Sequence, residues 1–178
     1  MTRAPAITTA RLRLRGHVLS DMDAFEAFHA TSRAAFVGRP ENRTHLWYGF
    51  ASEVGSWDLM GHGGWAIEDR DGQLIGQVAI TRPPHFPETE IGWTLLDHAE
   101  GRGYAFEAAS AALTWAWDNE FETLVSYIHP ENARSIALAE RLGAAHDPNA
   151  ALPDGETADE TLVYRHSPDT DGSPEAYA

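Results

Sequence analysis

The chain has 178 residues, 43% of them apolar, and six tryptophans, which is enough to fill one hydrophobic core. It contains no cysteine, so disulfides, thiolate metal sites and cysteine acyl-enzyme intermediates are excluded. A formal charge of −14 argues against nucleic acid as a partner, because lysine and arginine supply most of the affinity for phosphates. The same charge either favours cationic ligands or serves to keep the surface soluble.

No apolar run approaches the length of a membrane span, and the N-terminus lacks the basic-then-apolar pattern of a signal peptide. We therefore expect a cytoplasmic protein without a membrane partner. Residues 167–178 are rich in Pro, Asp and Ser and are predicted to be a disordered tail, which leaves residues 1–166 for a single folded domain. A homodimer stays open as an assembly state.

The N-terminal region predicts one strand. Apolar Leu12, Leu14 and Val18 alternate with basic residues over residues 11–19, which is typical of a strand with one buried face.

Two helices are predicted to follow this strand. Ser20 with Asp23 three residues later is a start signal for the first helix, whose apolar stripe contains Phe25 and Phe28. A second, amphipathic helix is predicted over residues 44–59, after a loop at residues 36–42.

The middle of the sequence is strand-like. Gly64–Glu68 and Leu74–Thr81 flank an Asp-Gly turn signal at residues 69–72 and predict a hairpin. Residues 82–87, with three prolines, predict an exposed loop, and Glu90–Leu95 predicts the next strand.

A glycine loop follows that strand and precedes a helix that begins near Tyr104. Gly101 and Gly103 permit a positive φ and leave backbone amides pointing outward, so the loop and the first turn of the helix predict a phosphate cradle. Phe106 stands where a Rossmann loop needs its third glycine, and no Gly-Lys-Ser/Thr follows. The helix has small residues on its predicted inner face: Ala105, Ala108, Ala109 and Ala112.

The last third predicts a strand over residues 123–128 and a short helix that Asn132 caps and Gly143 ends. Residues 143–147 and 160–165 predict a closing hairpin, joined by a polar stretch.

Two sequence blocks resemble one known superfamily. Residues 98–105, HAEGRGYA, resemble the pyrophosphate loop of the GNAT N-acetyltransferases, whose pattern is Gln or Arg, two residues, Gly, one residue, Gly or Ala; His98 departs from the first position. Residues 130–135, PENARS, and 140–143, ERLG, resemble its last motif segment. Their Asn-x-x-Ser form is that of the branch with ribosomal-protein N-terminal (Rim-type) acetyltransferases.

This resemblance implies a single α/β (α+β) domain with a twisted, mixed, mostly antiparallel sheet flanked by helices. Its central strands, Glu90–Leu95 and 123–128, would splay apart at a bulge, for which Gly92 is suited, and hold acetyl-CoA between them. The second helix would overhang the acceptor site. Its aromatic residues are then either core or walls of a substrate pocket: Trp47, Tyr48, Phe50 and Trp57.

The resemblance also implies contacts with acetyl-CoA as a co-substrate. The residues expected to contact acetyl-CoA are Trp93, Thr94, Leu95, His98, Gly101, Arg102, Gly103, Tyr104, Ala105, Asn132, Arg134 and Ser135. An N–H near residues 93–95 would face the thioester oxygen. Alternatively, Asn132 is no more than a helix cap, and Arg102 and Arg134 are solvated surface residues.

Glu90 and Ser135 are the expected catalytic residues. Glu90 should point from its strand beside Gly92 and act as base, directly or through water, with Glu88 as its competitor. His129 and His85 are weaker candidates, and both carboxylates could instead be simply solvated.

Ser135 is the candidate acid that protonates the departing thiolate, because Ala139 stands where many GNAT members have a tyrosine. Ser135 could instead bond the helix backbone. Ala139 therefore keeps open a rival, a non-catalytic acyl-CoA-binding domain.

The predicted function is acetyl transfer from acetyl-CoA directly to an amine. A peptide or protein N-terminus is the first choice of acceptor, because an α-amine with a pKa near 8 needs a weaker base than lysine, with a pKa of about 10.4. Small amines such as polyamines or aminoglycosides rank second and lysine side chains third. No metal site or serine hydrolase is predicted, since the nine histidines lack ligand spacing and Ser110 lacks a G-x-S-x-G elbow.

Overall fold

A computed structural model describes residues 4–38 and 40–168. The helices are α1 (Asp21–His29), α2 (Arg43–Met60), α3 (Tyr104–Asp118) and α4 (Ala133–Arg141), with 3-10 turns at Ser32–Phe36 and Asp97–Ala99. The strands are β1 (Ile7–Thr8), β2 (Arg13–Gly16), β3 (Gly64–Glu68), β4 (Leu74–Thr81), β5 (Glu90–Leu95), β6 (Leu124–Ile128), β7 (Ala145–His146) and β8 (Leu162–His166). The predicted disorder of residues 167–178 lies outside the described residues from residue 169 onward.

The strands form one eight-stranded sheet in the order β1-β2-β3-β4-β5-β6-β8-β7. Every neighbouring pair is antiparallel except β5 and β6, which run parallel. The fold is therefore a single α/β domain with an open, mostly antiparallel mixed sheet, as predicted. Among the described helices, none is long and apolar enough to cross a membrane.

Helix α3 lies close to the sheet because its inner face is small. Ala108, Ala109 and Ala112 are fully buried in the core, so this face of the helix can approach the strands closely. Trp57 and Trp65 meet Trp115 beside them, with ring centroids 4.5 to 5.4 Å apart. This apolar layer fixes α2 and α3 against the central strands, and its largest aromatic residues account for much of the buried area.

The first predicted strand was too long. The strand β2 ends at Gly16, and Val18, predicted to be buried, is 50% exposed. The cause is a tight turn in which the Asp21 carboxylate accepts a hydrogen bond from the Val18 N–H at 2.9 Å while binding Arg15. Helix α1 starts after Ser20 as predicted, but the Ser20 side chain makes no capping bond.

Other predicted boundaries agree with the structure to within a residue or two. The helix α2 begins after Asn42, whose side chain accepts from the His45 N–H, and ends at Gly61 in the left-handed conformation. Asn132 caps α4, and the closing hairpin forms as β7 pairs with β8.

Candidate active site

The parallel strands β5 and β6 pair at one register position and then part. Glu90 lies opposite Val125, and the Val125 N–H donates to the Thr89 carbonyl at 3.0 Å. Just past this point the Ser126 hydroxyl donates to the Ile91 carbonyl at 2.7 Å. The strands then diverge, as the prediction of splayed central strands required.

The expected bulge at Gly92 is absent from the described pairing of β4 and β5. Their register runs without interruption from Thr81 opposite Glu90 to Gly76 opposite Leu95, with Gly92 opposite Ala79. The splay therefore arises from lost pairing with β6 and not from an extra residue in β5.

The Ser126 hydroxyl at this fork also touches a buried histidine. The Nε2 atom of His166 lies 3.0 Å from Ser126 Oγ, and burial lowers the pKa of His166 to about 4. A neutral imidazole on β8 therefore supports the serine that ties β6 to β5.

One face of the fork opens into a cleft of about 730 Å³, here called the acidic cleft. It lies between α2, β4, β5, β6 and the loop before β8. Four glutamates are among its lining residues: Glu53, Glu90, Glu156 and Glu160. Other polar lining residues are Gln77, Thr94, Ser126, Tyr127, His129 and Ser135.

Glu90 has the electrostatics of a base near neutral pH. Burial raises the pKa of Glu90 to about 7, and the negative charges of Glu53 and Glu156 add to this shift. A hydrogen bond from the Tyr127 backbone N–H opposes it. A carboxylate in this range can accept a proton from an ammonium group and return it to solvent.

The structure does not favour Glu88 as the base. Its carboxylate forms a bidentate ion pair with Arg165, at 2.6 and 2.8 Å, and this pairing lowers the pKa of Glu88. His129 does line the acidic cleft, where its Nδ1 accepts from the Glu131 N–H at 3.1 Å. His85 is not among the residues that line the cleft.

The aromatic residues of α2 are not walls of the acidic cleft. Trp47 and Tyr48 are exposed, and Trp57 is buried in the core. Phe50 packs against the ring of His17, with centroids 5.1 Å apart. The helix contributes Glu53 instead, a residue that the sequence analysis did not single out.

A second groove is lined by the last residues of β5. This groove, here called the loop groove, has a volume of about 480 Å³ and runs between β5 and α4 to Gly101 and Ala105. A smaller depression of about 250 Å³ continues it to Gly103, Tyr104 and Arg141.

The glycine loop has the geometry of an anion cradle. Gly101 and Gly103 have φ values of 70° and 76°, a region that glycine adopts without strain. The Gly103 carbonyl accepts from the Glu107 N–H, so the amides of Tyr104, Ala105 and the next residue precede the first intrahelical donor. Together with the helix dipole of α3, these amides suit the pyrophosphate of a coenzyme A derivative.

The charged residues predicted at this loop lie in different environments. Arg134 binds the Glu100 carboxylate at 2.8 and 2.9 Å, and Arg33, which was not predicted, binds Glu100 as well. The Arg102 guanidinium lies over the Tyr104 ring, 5.2 Å from its centroid. Tyr104 itself is 9% exposed and packs into the core.

His98, the departure from the family pattern, is not part of the lining of either cavity. Its side chain is exposed, and it is not among the residues that line either cavity or the smaller depression. Leu95, which is predicted to contact the cofactor, lines the loop groove.

The acidic cleft and the loop groove meet. Trp93, Thr94, Asn132 and Ser135 line both cavities. A long molecule in the loop groove can therefore place one end in the acidic cleft at these residues. This junction is where the sequence analysis placed the thioester.

Ser135 is a half-buried residue at the junction, in the first turn of α4. Its backbone N–H donates to the Asn132 side chain at 3.2 Å, so Asn132 has the predicted capping role. The site of the missing tyrosine is closed, because Ala139 is fully buried against Ile128 and Tyr164.

A tyrosine is nevertheless present in the acidic cleft, on β6. The phenol oxygen of Tyr127 is buried and has no well-formed hydrogen bond in the described part of the chain. Burial raises the pKa of this phenol, so it is protonated at neutral pH. No sequence signal pointed to Tyr127, because an alternating strand does not reveal which face borders a cavity.

No group of three or more histidine, aspartate or glutamate residues is placed to hold a metal ion among residues 4–38 and 40–168. The lining of the acidic cleft and the loop groove offers carboxylates, hydroxyls and backbone amides.

Comparisons with known proteins agree with this geometry. The family described as "Acetyltransferase (GNAT) domain" matches residues 11–145. An acetyltransferase crystal structure from Agrobacterium tumefaciens strain C58 is 41% identical, with 92% of this chain and 94% of that chain covered and a TM-score of 0.85. The chain belongs to the GNAT acetyltransferase family.

Two further relatives are more distant or matched in part. YkkB, an uncharacterized protein of Bacillus subtilis, is 36% identical over 83 residues, and the match covers 44% of this chain and 48% of that protein. The structure of RimL, a ribosomal α-N-protein acetyltransferase in complex with coenzyme A, is 16% identical, with 94% and 100% of the two chains covered and a TM-score of 0.66. At 16% identity, the likeness to RimL concerns the fold alone.

Proposed function

We propose that this protein transfers the acetyl group of acetyl-CoA directly to an amine bound in the acidic cleft. The observation that carries the proposal is the junction at Trp93, Thr94 and Ser135, where the acidic cleft meets the loop groove. Glu90, with its pKa near 7, lies in the cleft on the same strand as Trp93 and Thr94.

Acetyl-CoA would occupy the loop groove as a co-substrate. The amides of the loop at Gly101 and Gly103 and of the first turn of α3 would bind its pyrophosphate. The backbone of residues 93–95 would pair with the pantetheine arm where β6 has left β5. Arg134 would exchange Glu100 for a cofactor phosphate or ribose, and Arg102 would act from the loop surface.

The reaction begins with removal of one proton from the acceptor ammonium by the Glu90 carboxylate, directly or through water. The neutral nitrogen attacks the thioester carbon, a C–N bond forms, and an N–H of residues 93–95 stabilises the oxyanion. The C–S bond then breaks and its electron pair leaves on the thiolate. The second nitrogen proton neutralises the thiolate, and Glu90 releases its proton to solvent, so that the products are the amide, CoA and one proton.

The thiolate receives its proton at the junction. The Ser135 hydroxyl lies there and can donate to sulfur while it receives the nitrogen proton through water. Tyr127 lines the same cleft, and its protonated phenol would be a second donor.

A peptide N-terminus is our first choice of acceptor. An α-amine has a pKa near 8, so a carboxylate with a pKa near 7 deprotonates it with little unfavourable driving force. A lysine ammonium, with a pKa of about 10.4, is a poorer match for this base.

Small cationic amines are the second candidate. The glutamates of the acidic cleft, Glu53, Glu90, Glu156 and Glu160, would favour a ligand with more than one positive charge, such as a polyamine or an aminoglycoside.

The test is an incubation of the protein and acetyl-CoA with an N-terminal peptide library and, separately, with a panel of small amines. Released CoA and acetylated products are measured together, the latter by mass spectrometry. We expect a matching amount of CoA and amide with at least one class of acceptor. Acetyl-CoA binding without transfer to any amine would instead indicate the rival, a non-catalytic acyl-CoA-binding domain.

A further inference from the structure

A row of titratable side chains leads to the acidic cleft and takes no part in the proposed reaction. The Arg15 guanidinium binds the Asp21 carboxylate at 2.7 and 3.0 Å. Asp21 Oδ2 lies 3.5 Å from Nδ1 of His17, and Nε2 of His17 lies 4.0 Å from Oε2 of Glu53. The row runs from β2 through the start of α1 to α2 and ends at the cleft.

His17 has no contact with solvent. Its side chain is 0% exposed, and neither ring nitrogen has a hydrogen bond of normal length in the described part of the chain. Oε2 of Glu53 is also buried and has no hydrogen bond of normal length to the described residues. Burying an imidazole and a carboxylate this way costs free energy unless the two groups interact electrostatically.

The surroundings hold His17 and Glu53 next to each other. The rings of Phe25 and Phe50 pack edge-on against the imidazole, with centroids 5.7 and 5.1 Å away. Gly64 of β3 leaves the necessary space, because a Cβ there would lie 2.6 Å from Oε2 of Glu53 and 3.3 Å from Nε2 of His17.

We propose that Glu53 binds the acceptor ammonium beside Glu90, and that His17, held by Asp21, is the positioning residue that sets the charge of Glu53. This inference rests on the proposed function of the cleft. The contact of Glu53 with the cleft and the contact of His17 with Glu53 carry it.

The pKa values of the two cleft carboxylates, Glu53 and Glu90, each depend on a neighbouring charge. Burial raises the pKa of Glu53, and the charge of His17 lowers it. An ionised Glu53 in turn raises the pKa of Glu90. A positive charge on His17 therefore favours the charged form of Glu53 against the burial that raises its pKa, and a charged Glu53 makes Glu90 a stronger base and attracts the ammonium.

These groups face one another from several elements. Glu53 of α2 faces His17 from the connection after β2, Gln77 from β4, whose Nε2 donates to Oε1 at 3.4 Å, and Glu90 from β5. Glu90 also faces Glu156 from the loop before β8.

The test compares Glu53→Gln, His17→Gln and the double variant by the pH dependence of kcat/KM for the acceptor. Removing the charge of Glu53 lowers the pKa of Glu90, so the acidic limb should move to lower pH in Glu53→Gln. His17→Gln should move the limb in the same direction, because Glu53 then stays protonated over a wider range. The double variant should have the profile of Glu53→Gln, since His17 acts through Glu53.

The acceptor KM should rise by about 10-fold in Glu53→Gln, as expected for a lost ammonium contact, with the KM for acetyl-CoA unchanged. His45→Gln, on the exposed start of the same helix, is the matched control and should resemble the wild type. An unmoved acidic limb in both single variants, or limb shifts that add in the double variant, would overturn the proposal.

Two further experiments test this inference independently of the proposed function. Carbon-13 NMR of glutamate carboxyl groups reads the titration of Glu90 without any acceptor, so the coupling can be confirmed or refuted even if no amine is acetylated. If His17→Gln does not fold, Gly64→Ala provides a second route, because its methyl group pushes the Glu53 carboxylate away from His17. An unchanged Glu90 titration in a folded Gly64→Ala variant counts against the proposal.

Discussion

Glu90 is costly to the fold for the same reason that it is useful as a base. Its folded-state pKa of about 7 lies above that of an unfolded glutamate, so the folded state holds a proton that the unfolded state has released. The stabilising contribution is complete below the unfolded pKa and is lost as the pH rises through about 7. Above that pH the native state contains a poorly solvated charge.

Glu90→Gln should therefore be more stable than the wild type at high pH. We expect its Tm to exceed the wild-type Tm by a few °C near pH 8 and to differ little near pH 4.5, a comparison that differential scanning calorimetry makes directly. The control is Glu122→Gln at an exposed position, for which the difference should not change with pH. A Tm difference for Glu90→Gln that is the same at both pH values would mean that Glu90 is not buried as a base.

A substitution of Ser135 can distinguish cofactor binding from proton transfer. Ser135→Ala keeps the backbone N–H that donates to Asn132, so α4 should keep its cap. We expect turnover to fall by roughly 10-fold with little change in acetyl-CoA affinity, as measured by steady-state kinetics beside calorimetry. Unchanged turnover would assign the proton to Tyr127 or to water, and Tyr127→Phe then becomes the variant to measure.

At the scale of elements, the glycine loop before α3 should determine cofactor binding. In Gly103→Asp, a carboxylate at the N-terminus of α3 would repel the pyrophosphate that we propose binds there. We expect acetyl-CoA affinity, measured by titration calorimetry, to fall by about 100-fold, the equivalent of roughly 3 kcal/mol.

Gly72→Asp is the matched control for this substitution. Gly72 has the same φ of 76° in the turn between β3 and β4, and a Cβ there would meet nothing within 4 Å. Both variants therefore carry a similar backbone strain, and the cofactor affinity should separate them. Equal affinities in the two folded proteins would remove the loop from the binding site.

The loop and most elements were predictable because their signals are local. Two glycines between a strand and an alanine-rich helix, or Asn132 before α4, act through their own backbone. The end of β2 was not predictable in this way, because the turn depends on Asp21 binding Arg15 and the Val18 N–H. A Gly92 bulge was expected as the cause of the splay, whereas the cause is the loss of pairing between β5 and β6 beyond Glu90 and Val125, in strands that are distant in sequence.

Only some residues of the candidate site were predictable from the sequence. Glu90 and Ser135 were accessible from motif positions, but Glu53 lies on a helix whose sequence favours an aromatic surface. The role of Glu53 follows from its contact with a cleft built by strands from elsewhere in the chain. Tyr127 was missed for the same reason.

At the scale of the whole molecule, a chain with a formal charge of −14 depends on its few cations. Arg165 binds both Glu88 and Asp147, while Arg15 binds Asp21. These partners lower the pKa values of the carboxyl groups of Glu88, Asp147 and Asp21. Such contributions are present above the ordinary carboxyl pKa and are lost as the pH falls through the lowered values.

The protein should therefore lose stability as the pH falls below about 4.5, and Arg165→Met should make that acidic part of the stability curve shallower. The measurement is Tm by circular dichroism from about pH 7 to about pH 3. Arg70→Met is the control, because its guanidinium contacts the Ala10 carbonyl and no carboxylate has to be protonated to lose that bond. Equal slopes in the two variants would show that the Glu88 and Asp147 pairs do not govern acid unfolding.

The most direct test of the account is the pH profile of acetyl transfer in the wild type and in Glu90→Gln. The acceptor is the best amine from the panel, and the acetylated product is quantified by mass spectrometry from about pH 5 to about pH 9. We predict that wild-type kcat/KM rises through an inflection near 7, where the Glu90 carboxyl titrates, and that Glu90→Gln loses this limb together with roughly 100-fold in turnover. A Glu90→Gln enzyme with the wild-type rate and the same acidic limb would contradict it.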